Sequence, residues 1–277
     1  MMMPDSLGFR FLEWYGVHLK HPGQWRVHAV LRDLLGPPAS AELPVERQGH
    51  RWVLNPSDYP QIDLFWLGVS DRWDLHHAVR FLRPGAVIFD VGANFGYYSV
   101  MLASALGGAC EVHAFEPCPE TFDRLTGHIA LNRLECIHAH PLALSDIPGL
   151  AALQPRSGNS GAAFLVPGGQ IPVSTLDRFV EERGLQRLDF MKIDVEGFEE
   201  RVLRGGARTL ERFRPMILIE IQPTTLERAG SSVRKLADLL TGYGYTLMRA
   251  KRRTLVPLEL RDDPGWIVNA FCLPAAG

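Results

Sequence analysis

An α/β fold is predicted for this chain, with a mostly parallel sheet covered by helices on both faces. Two observations predict it. From residue 86 onward, short apolar segments alternate with amphipathic segments of helical periodicity, which is the pattern of β-α-β units. The last two apolar segments have only a loop, around residues 252–265, between them. They are therefore expected to pair as an antiparallel hairpin at one edge of the sheet.

The individual elements follow from the same patterns. The strand candidates are apolar runs at residues 86–91, 110–115, 136–144, 188–193, 216–221, 245–250 and 266–273. The helix candidates carry an apolar stripe and cover residues 97–106, 119–131, 176–183, 199–204 and 232–243. Residues 146–174 are rich in Gly and Pro, which predicts an excursion of short edge strands and a loop at the rim of a substrate site.

Composition separates an N-terminal cap, residues 1–80, from a main domain, residues 81–277. The cap is rich in Trp, Pro and His, and a hairpin is predicted to turn at Gln48–Gly49. The formal net charge of −2 provides no field for nucleic acid or an anionic membrane. Widely spaced cysteines, no signal peptide and no membrane-spanning run predict a cytoplasmic protein with reduced thiols. The oligomeric state is left open, with a homodimer as one alternative.

The segment AVIFDVGANFGYYS, residues 86–99, predicts a strand, an acid and a glycine turn that opens a helix. A dinucleotide fingerprint reads G-x-G-x-x-G, and its middle glycine lets a pyrophosphate approach the backbone. Here Asn94 occupies the middle position, which favours a nucleotide-like cofactor without a pyrophosphate. The cofactor-binding candidates of this segment are Asp90, Gly92, Asn94, Gly96 and Tyr97. The alternative is a tight turn that binds no ligand.

Polar side chains at the ends of the next two strands extend the predicted cofactor site. Glu116 follows the second strand, twenty residues after Gly96, where an acid binds ribose hydroxyls in nucleotide-binding folds. Ser145 and Asp146 follow the third strand, where they could read the edge of an adenine. Helix entry would also explain Glu116, and a turn cap would also explain Ser145 and Asp146.

The segment LDFMKIDVEGFEERVLRGG, residues 188–206, predicts the catalytic side chains. Its strand brings Lys192, Asp194 and Glu196 to the carboxyl edge of the sheet, on one face. Ionisable groups there are costly unless they are used or paired, so these three are the catalytic candidates. The alternative is a Lys192–Asp194 ion pair that braces the sheet. Glu199 and Glu200 are interpreted as ordinary acids of a first helical turn.

A metal ion is a further alternative at this edge of the sheet. The next strand, in RPMILIEIQP, ends in Glu220 and Gln222. Together with Asp194 these side chains supply only oxygen donors, which are the ligands that a hard cation such as Mg²⁺ prefers. A bound metal would lower the pKa of a hydroxyl directly, and the carboxylates would then be ligands.

Six segments, in this order, resemble the FkbM-type methyltransferases over about residues 72–250: FDVGANFGYYS, HAFEPCPETFDRLTGHIALN, ALSD, STLDRF, MKIDVEGFEERVLRGG and RPMILIEI. The resemblance implies the class I, Rossmann-like fold of S-adenosylmethionine-dependent enzymes, with seven strands of which the last is antiparallel. It implies methylation of a hydroxyl oxygen on a small-molecule acceptor, such as a polyketide, a sugar or another specialised metabolite. The segment VSDRWDLHHAV, residues 69–79, departs from the family with Asp74 and two histidines, which leaves the acceptor open.

By position, the resemblance places four residues around the methionine part of S-adenosylmethionine: Asp90, Gly92, Asn94 and Gly96. Glu116 would bind the ribose, and Asp146 would lie near the adenine. Asp194 and Glu196 would face the transferable methyl group, in a catalytic domain that covers residues 81–277.

The acceptor chemistry leaves alternatives. An alcohol must lose a proton, and Asp194 or Glu196 could be the general base. A carboxylate acceptor is already ionised and would give a methyl ester without a base. A nicotinamide-dependent oxidoreductase and a non-catalytic nucleotide-binding protein are the alternatives from other functional classes.

Overall fold

The structure of the protein is a computed structural model that describes residues 3, 6–35, 41–156 and 159–275. The chain forms two compact units, one of Met1–Arg72 with Arg156–Ala162 and one of Trp73–Pro155 with Ala163–Gly277. The boundary near residue 72 lies before the predicted boundary at residue 80. The function of residues 1–80 at the substrate rim stays a prediction.

The elements are numbered in chain order. The strands are β1 (Leu43–Arg47), β2 (His50–Leu54), β3 (Ala86–Val91), β4 (Cys110–Phe115), β5 (Ile137–His140), β6 (Ala143–Leu144), β7 (Gly149–Arg156), β8 (Asn159–Pro167), β9 (Ile171–Ser174), β10 (Phe190–Ile193), β11 (Met216–Ile221), β12 (Tyr245–Lys251), β13 (Thr254–Pro257) and β14 (Val268–Pro274). The helices are α1 (Leu7–His18), α2 (Gln24–Leu35), α3 (Arg72–Phe81), α4 (Tyr97–Ala105), α5 (Pro119–Asn132), α6 (Leu176–Glu182), α7 (Glu199–Arg204), α8 (Ala207–Phe213), α9 (Pro223–Arg228) and α10 (Val233–Gly242).

The larger unit is built on a sheet with the order β13-β12-β14-β11-β10-β3-β4-β5. The five neighbouring strands β11, β10, β3, β4 and β5 are parallel to one another. Strand β14 is antiparallel to both of its neighbours, β11 and β12. This arrangement confirms the predicted fold class and the antiparallel hairpin of the last two predicted strands.

The eighth strand, β13, is not among the predicted strands, because it lies within the predicted loop around residues 252–265. Its turn uses Arg252 with φ 54°, and arginine gives none of the Gly or Asn signal typical of a left-handed turn.

The predicted strand at residues 136–144 is wrong as a single element. It consists of β5 and β6, which lie in different sheets. Pro141 separates them, because proline has no amide hydrogen to donate to a ladder. The Leu142 amide instead donates to the His140 carbonyl oxygen at 2.9 Å.

The predicted excursion at residues 146–174 contains short strands. They form a second sheet with the order β6-β9-β7-β8, in which β9 is parallel to β6 and antiparallel to β7. Residues 157 and 158 of the predicted loop lie outside the described residues. The placement of this excursion at a substrate rim stays a prediction.

The smaller unit contains α1, α2, the β1–β2 hairpin and two short turns, one 3₁₀ (Tyr59–Gln61) and one π-helical (Asp63–Leu67). The hairpin turns at Gln48 and Gly49, with φ of 53° and 77°, which confirms that prediction. The core of this unit is aromatic: the Phe9 ring packs 4.8 Å from the Trp66 ring, between centroids. The sequence reasoning did not predict α1 and α2.

Helix α3 is fixed within the larger unit by two hydrogen bonds. Asn269 Nδ2 donates to Asp74 Oδ2 at 2.9 Å, and His77 Nε2 lies 2.8 Å from the Arg252 carbonyl oxygen. Asp74 and His77 belong to the segment that departs from the family pattern, and here they hold α3 against β14 and the β12–β13 turn. In the part of the chain that the structure describes, no helix is long and apolar enough to cross a membrane.

Two histidines are buried in the layer between the sheet and α6. His113 Nδ1 and His140 Nε2 lie 3.0 Å apart on β4 and β5, and the Phe179 ring of α6 packs edge-on against both imidazoles. Burial, then the charge of a neighbouring imidazole and that of Arg183, lowers the pKa of each histidine to about 4. Both rings are therefore neutral in the folded protein at ordinary pH.

The free energy of unfolding is expected to fall as the pH drops from 6.5, the ordinary histidine pKa, toward 4. In that window the unfolded chain binds protons that the folded protein does not, so stability present at neutral pH is lost. The loss should reach up to roughly 3 kcal/mol for one ring. Urea unfolding at neutral and acid pH measures it. His140→Gln should reduce the pH dependence, whereas His18→Gln, at an exposed position, should leave it unchanged, and equal slopes in both variants would contradict the assignment.

Candidate functional site

The carboxyl ends of β3, β10 and β11 carry ionisable side chains on one face of the sheet. Asp90 pairs with Lys192 in the β3–β10 ladder, and Lys192 pairs with Leu218 of β11. Asp194 and Glu220 stand two positions further along the same two chain segments. Because side chains alternate along a strand, all four ionisable groups share one face, as the sequence predicted for Lys192 and Asp194. The same prediction for Glu196 does not follow from alternation, because β10 ends at Ile193 and Glu196 has left-handed backbone with φ 55°.

Asp90 is almost fully buried at the end of β3. Its Oδ2 accepts hydrogen bonds from the Ser99 amide at 3.0 Å and the Ser99 hydroxyl at 2.7 Å, which ties β3 to α4. Its Oδ1 has no hydrogen-bond partner among the described residues, and Lys192 Nζ lies 3.9 Å away. Burial raises the pKa of Asp90, although the Lys192 charge and the Ser99 hydrogen bonds oppose this. The unpaired oxygen is an acceptor for an ammonium group.

The glycine turn has left-handed backbone at three positions, since φ is 81° at Gly92, 50° at Asn94 and 90° at Gly96. A Cβ atom on Gly92 would lie 1.9 Å from the Asp194 carbonyl oxygen, and one on Gly96 would lie 2.6 Å from Leu125 Cδ1. Packing against backbone therefore requires glycine at position 92, whereas at position 96 the left-handed φ favours glycine and the Leu125 side chain could move aside. Asn94 Oδ1 is buried and has no partner among the described residues, so the middle position offers a second unpaired acceptor.

Glu116 connects the end of β4 to the glycine turn. Its Oε2 accepts from the Asn94 amide at 2.8 Å and its Oε1 from the Cys118 amide at 2.9 Å. Burial raises the pKa of this carboxyl, and the hydrogen bonds from Cys118, Thr121 and Asn94 partly oppose the rise. Each oxygen of a carboxylate can accept a further hydrogen bond, so Glu116 can hold the turn and still accept ribose hydroxyls. The ribose contact itself stays a prediction.

Glu116→Ala is expected to weaken binding of S-adenosylmethionine by about 30-fold or more, because it removes charge-assisted hydrogen bonds and loosens the turn. Calorimetric titration of the purified protein measures the affinity. Glu120→Ala, at an exposed position in the first turn of α5, is the matched control and should bind like the unmodified chain. Unchanged affinity in Glu116→Ala would remove the ribose assignment.

Ser145 and Asp146 form a hydrogen-bonded turn after β6. Ser145 Oγ donates to Asp146 Oδ1 at 3.0 Å, and the Ser145 amide donates to the Ser174 carbonyl oxygen at 2.9 Å. A Cβ atom on Gly205 would lie 2.1 Å from the Ser145 carbonyl oxygen, so the end of α7 packs directly on this turn. The predicted adenine contact and the turn cap considered as its alternative both stay predictions.

Lys192 is the buried cation of the site. Its Nζ donates to Asp194 Oδ2 at 3.2 Å and lies 4.9 Å from the centroid of the Tyr98 ring. Burial by itself lowers the pKa of Lys192, but the charges of Asp194 and Asp90 outweigh it and the pKa is raised. The ion pair is thus present, yet the Asp194 side chain keeps 35% of its surface exposed. A partly exposed acid beside a buried cation can still meet a substrate.

The loop between β10 and α7 is held by a third acid. Glu199 Oε1 accepts from the Val195 amide at 3.2 Å and the Gly197 amide at 3.1 Å. These bonds support the left-handed backbone of Glu196, whose φ is 55°, and Glu196 Oε2 lies 4.0 Å from Arg228 Nη2. Burial raises the pKa of Glu199 to about 7.

Glu199 and Glu200 lie in the first turn of α7, as predicted. They differ from ordinary helix-end acids because both are buried. Glu199 faces the preceding loop, whereas the Glu200 carboxylate accepts from Arg204 of the same helix and from Ser231. The short loop before α7 folds back onto the Glu199 carboxylate, which helix-end preference alone does not reveal.

The prediction of Mg²⁺ at Asp194, Glu220 and Gln222 is not supported. The Asp194 carboxylate accepts from the Lys192 ammonium group, so the positive charge at this edge comes from a side chain. Gln222 is the N-cap residue of α9, and its backbone carbonyl oxygen accepts from the Leu226 amide at 3.1 Å. Within the described residues, no group of three or more His, Cys, Asp or Glu side chains is arranged to hold a metal ion.

Sequence reasoning missed three contributors to the site: Tyr98, Ser99 and Glu199. Tyr97 was the predicted tyrosine, but its ring is buried against Tyr98, and the Tyr98 ring is the one beside Lys192. No sequence signal separates two adjacent tyrosines at a helix start. Ser99 and Glu199 do carry a sequence signal. Each follows a glycine turn within three residues, and polar side chains at such positions often form hydrogen bonds with nearby backbone or side-chain groups.

The residues at the glycine turn fit a cationic nucleoside ligand. Two buried acceptors, Asp90 Oδ1 and Asn94 Oδ1, have no hydrogen-bond partner among the described residues. An ammonium group supplies three donors for such acceptors. Glu116, at the neighbouring strand end, retains lone pairs for hydroxyl donors. This set of acceptors matches the ammonium and ribose hydroxyl donors of S-adenosylmethionine.

Comparison with known proteins gives one consistent result. A family profile described as the methyltransferase FkbM domain matches residues 90–247. The 31-O-demethyl-FK506 methyltransferase FkbM of Streptomyces tacrolimicus is 28% identical over an alignment of 214 residues, with coverage of 65% of this chain and 79% of that protein. The hexuronic acid methyltransferase AglP of Haloferax volcanii is 31% identical over 49% of this chain and 55% of that protein. A crystal structure of a methyltransferase FkbM from Methylobacillus flagellatus is 17% identical with a TM-score of 0.48, covering 77% of this chain and 53% of that one.

Proposed function

Because this chain belongs to the FkbM family of methyltransferases, we propose that it transfers the methyl group of S-adenosylmethionine to a hydroxyl oxygen of a small-molecule acceptor. The observation that carries the proposal is the half-exposed Asp194 carboxylate, held by the buried Lys192 next to the glycine turn. The names of two relatives support the acceptor class, since one refers to an oxygen position of a natural product and the other to a sugar acid.

The methyl donor would be held by the ends of β3, β4 and β6. Asp90 and Asn94 would accept from the ammonium group of its methionine part through their unpaired oxygens. Glu116 would accept from the ribose hydroxyls while it keeps its two backbone hydrogen bonds. Ser145 and Asp146 would lie beside the adenine. S-adenosylmethionine supplies an electrophilic methyl group on a sulfonium.

Asp194 would be the general base. An alcohol has a pKa near that of water, roughly 15.7, so the hydroxyl needs a proton acceptor as it attacks. Lys192 occupies Asp194 Oδ2, which leaves the other carboxylate oxygen to take the hydroxyl proton. Glu196, oriented by the loop that Glu199 holds, would line the acceptor side. Alignment of the reacting groups by such a fixed edge can supply about 7–11 kcal/mol of the barrier reduction.

The experiment is methyl transfer from labelled S-adenosylmethionine to a panel of hydroxylated acceptors, including neutral sugars, hexuronic acids and macrolides with a free hydroxyl. We expect a labelled methyl ether on at least one acceptor. Treatment with alkali separates the alternatives, because methyl esters are cleaved and methyl ethers survive. Products that are all cleaved by alkali would replace the hydroxyl acceptor by a carboxylate, and absence of saturable donor binding would overturn the proposal.

A further inference from the structure

Two of the four free cysteines lie side by side at the amino ends of the parallel strands. Cys110 is the first residue of β4, and Cys136 directly precedes β5. Their sulfur atoms are 4.0 Å apart, and Cys110 Sγ donates to Cys136 Sγ. Both residues are partly exposed, so the pair lies at the surface of the larger unit. Glu116 and the glycine turn are at the opposite edge of the same sheet.

Backbone hydrogen bonds hold the two cysteines close together. The Val112 amide donates to the Cys136 carbonyl oxygen at 2.9 Å, and the Ile137 amide donates to the Leu134 carbonyl oxygen at 3.1 Å, which fixes the turn before β5. In the ladder Val112 pairs with Ile137, so Cys110 and Cys136 are offset by one residue across neighbouring strands. Such an offset between strands about 4.8 Å apart places two Cα atoms about 6 Å from each other, within the roughly 4.4–6.8 Å that a disulfide spans.

The other two cysteines have different surroundings. Cys118 is the N-cap residue of α5 and follows β4 at its carboxyl end. About 16 Å of extended strand separates Cys110 from that end of β4. Cys272 is fully buried within β14. The intrachain bond that the geometry of the described residues favours is therefore the one between Cys110 and Cys136.

Cys110 keeps its proton while the pair is reduced. Burial, and then the charge and hydrogen bonding of Cys136, raise the pKa of the Cys110 thiol to about 12. The thiolate is the nucleophile in thiol–disulfide exchange, so Cys136, which accepts the hydrogen bond, is the cysteine expected to react first. Once Cys136 is bonded to another sulfur, it no longer carries the charge that opposes ionisation of Cys110.

We propose that Cys110 and Cys136 are a modification site, which a low-molecular-weight disulfide such as oxidised glutathione converts to an intrachain disulfide. The Cys136 thiolate attacks one sulfur of the oxidant to form a mixed disulfide, and one glutathione thiolate leaves. Cys110 then loses its proton to solvent, its sulfur attacks Cys136 Sγ, and the second glutathione thiolate leaves. The two cysteines together lose two electrons and two protons, and the oxidant is reduced to two thiols.

The bond closes a covalent loop around one β-α-β unit of the larger sheet. Residues 110–136 contain β4, Glu116 and α5. A cross-link between the two ends of this segment restricts the unfolded chain and so stabilises the folded one. The oxidised protein therefore unfolds at a higher temperature than the reduced protein. This chemistry needs neither a methyl donor nor an acceptor, so it is independent of the proposed function.

Oxidation of the unmodified full chain tests the proposal. The protein is incubated at about pH 8 with oxidised glutathione, treated with an alkylating reagent and measured by intact mass. We expect a loss of two hydrogen atoms, about 2 Da, and two cysteines protected from alkylation. The melting temperature should rise by about 3 °C or more, and dithiothreitol should reverse both changes. No protected pair after treatment with excess oxidant would overturn the proposal, and a bond without the rise would overturn its stabilising effect.

Variants then assign the bond. Cys110→Ser and Cys136→Ser should each lose the protected pair, whereas Cys118→Ser is the control and should form the bond like the unmodified chain. Cys110→Ser should stop at a mixed disulfide with glutathione, and Cys136→Ser should react about tenfold more slowly or less. A protected pair in either of these two variants would overturn the assignment. A protease that cuts after Glu111 and Glu116 separates Cys110 from Cys118, so cross-linked peptides of the unmodified chain decide the assignment if a variant does not fold.

Discussion

Asp194→Asn is expected to lower turnover on an alcohol acceptor by about a thousandfold, which corresponds to about 4 kcal/mol of barrier. Asparagine has the shape of aspartate, and its carbonyl oxygen can still accept from Lys192 Nζ, which donates at 3.2 Å in the structure. The substitution therefore removes the basicity and keeps the geometry. Affinity for S-adenosylmethionine should stay within about tenfold, because Asp90, Asn94 and Glu116 are unchanged.

The measurement is steady-state kinetics on the best acceptor of the panel, with calorimetric titration of the donor alongside. Glu196→Gln is the comparison variant, because Glu196 is the other predicted catalytic acid and lies near Arg228 rather than Lys192. Its turnover should fall less than that of Asp194→Asn. A large loss in Glu196→Gln with full activity in Asp194→Asn would exchange the two roles, and full activity in both would remove the general base.

Gly92→Ala is expected to disrupt the site strongly. At φ 81° an alanine costs about 1–2 kcal/mol from backbone strain alone. In addition, its Cβ atom would lie 1.9 Å from the Asp194 carbonyl oxygen and 3.3 Å from Val195 Cγ1. The strand ends of β3 and β10 must then separate, which displaces Asp194. We expect a loss of about 3 kcal/mol or more in the free energy of unfolding and loss of measurable donor binding.

Gly85→Ala separates the two contributions. Gly85 has φ 83°, close to that of Gly92, but a Cβ atom there would meet nothing within 4 Å. It should therefore show only the backbone cost, about 1–2 kcal/mol, and normal donor binding. Urea unfolding and calorimetry on both variants make the comparison. Equal effects of the two substitutions would mean that the approach of Asp194 to the glycine turn contributes nothing.

Most of the fold in the larger unit could be predicted from local patterns. The bounds of β3, β4, β11 and α7 agree with the predicted segments residue for residue, because an apolar run or an amphipathic stripe between Gly, Pro or charged residues marks each end. The misses have local causes as well. The strand β13 begins after a left-handed arginine that gives no turn signal, and Pro141 divided a strand whose apolar pattern continues through it.

The site could be predicted only in part. Strand ends can be predicted from the sequence, so the positions of Asp90, Glu116 and Asp194 at one edge of the sheet followed from the order of the elements. Side-chain contacts between residues far apart in the chain cannot be predicted in this way. The sequence reasoning considered Mg²⁺ for the acids at this edge and interpreted Glu199 as an ordinary acid of a first helical turn, because burial and the direction of a loop are tertiary properties.

The amino-acid sequence alone determined four features: the class I sheet, the glycine turn, the acids at the strand ends and the family resemblance. Each depends on residues near one another in the chain, where periodicity and turn chemistry act. The tertiary structure decided which of these side chains meet. Asp90 and Lys192 are about a hundred residues apart and lie together because β3 pairs with β10 in one register. That register, and the burial around it, determine how many carboxylates share a single ammonium group.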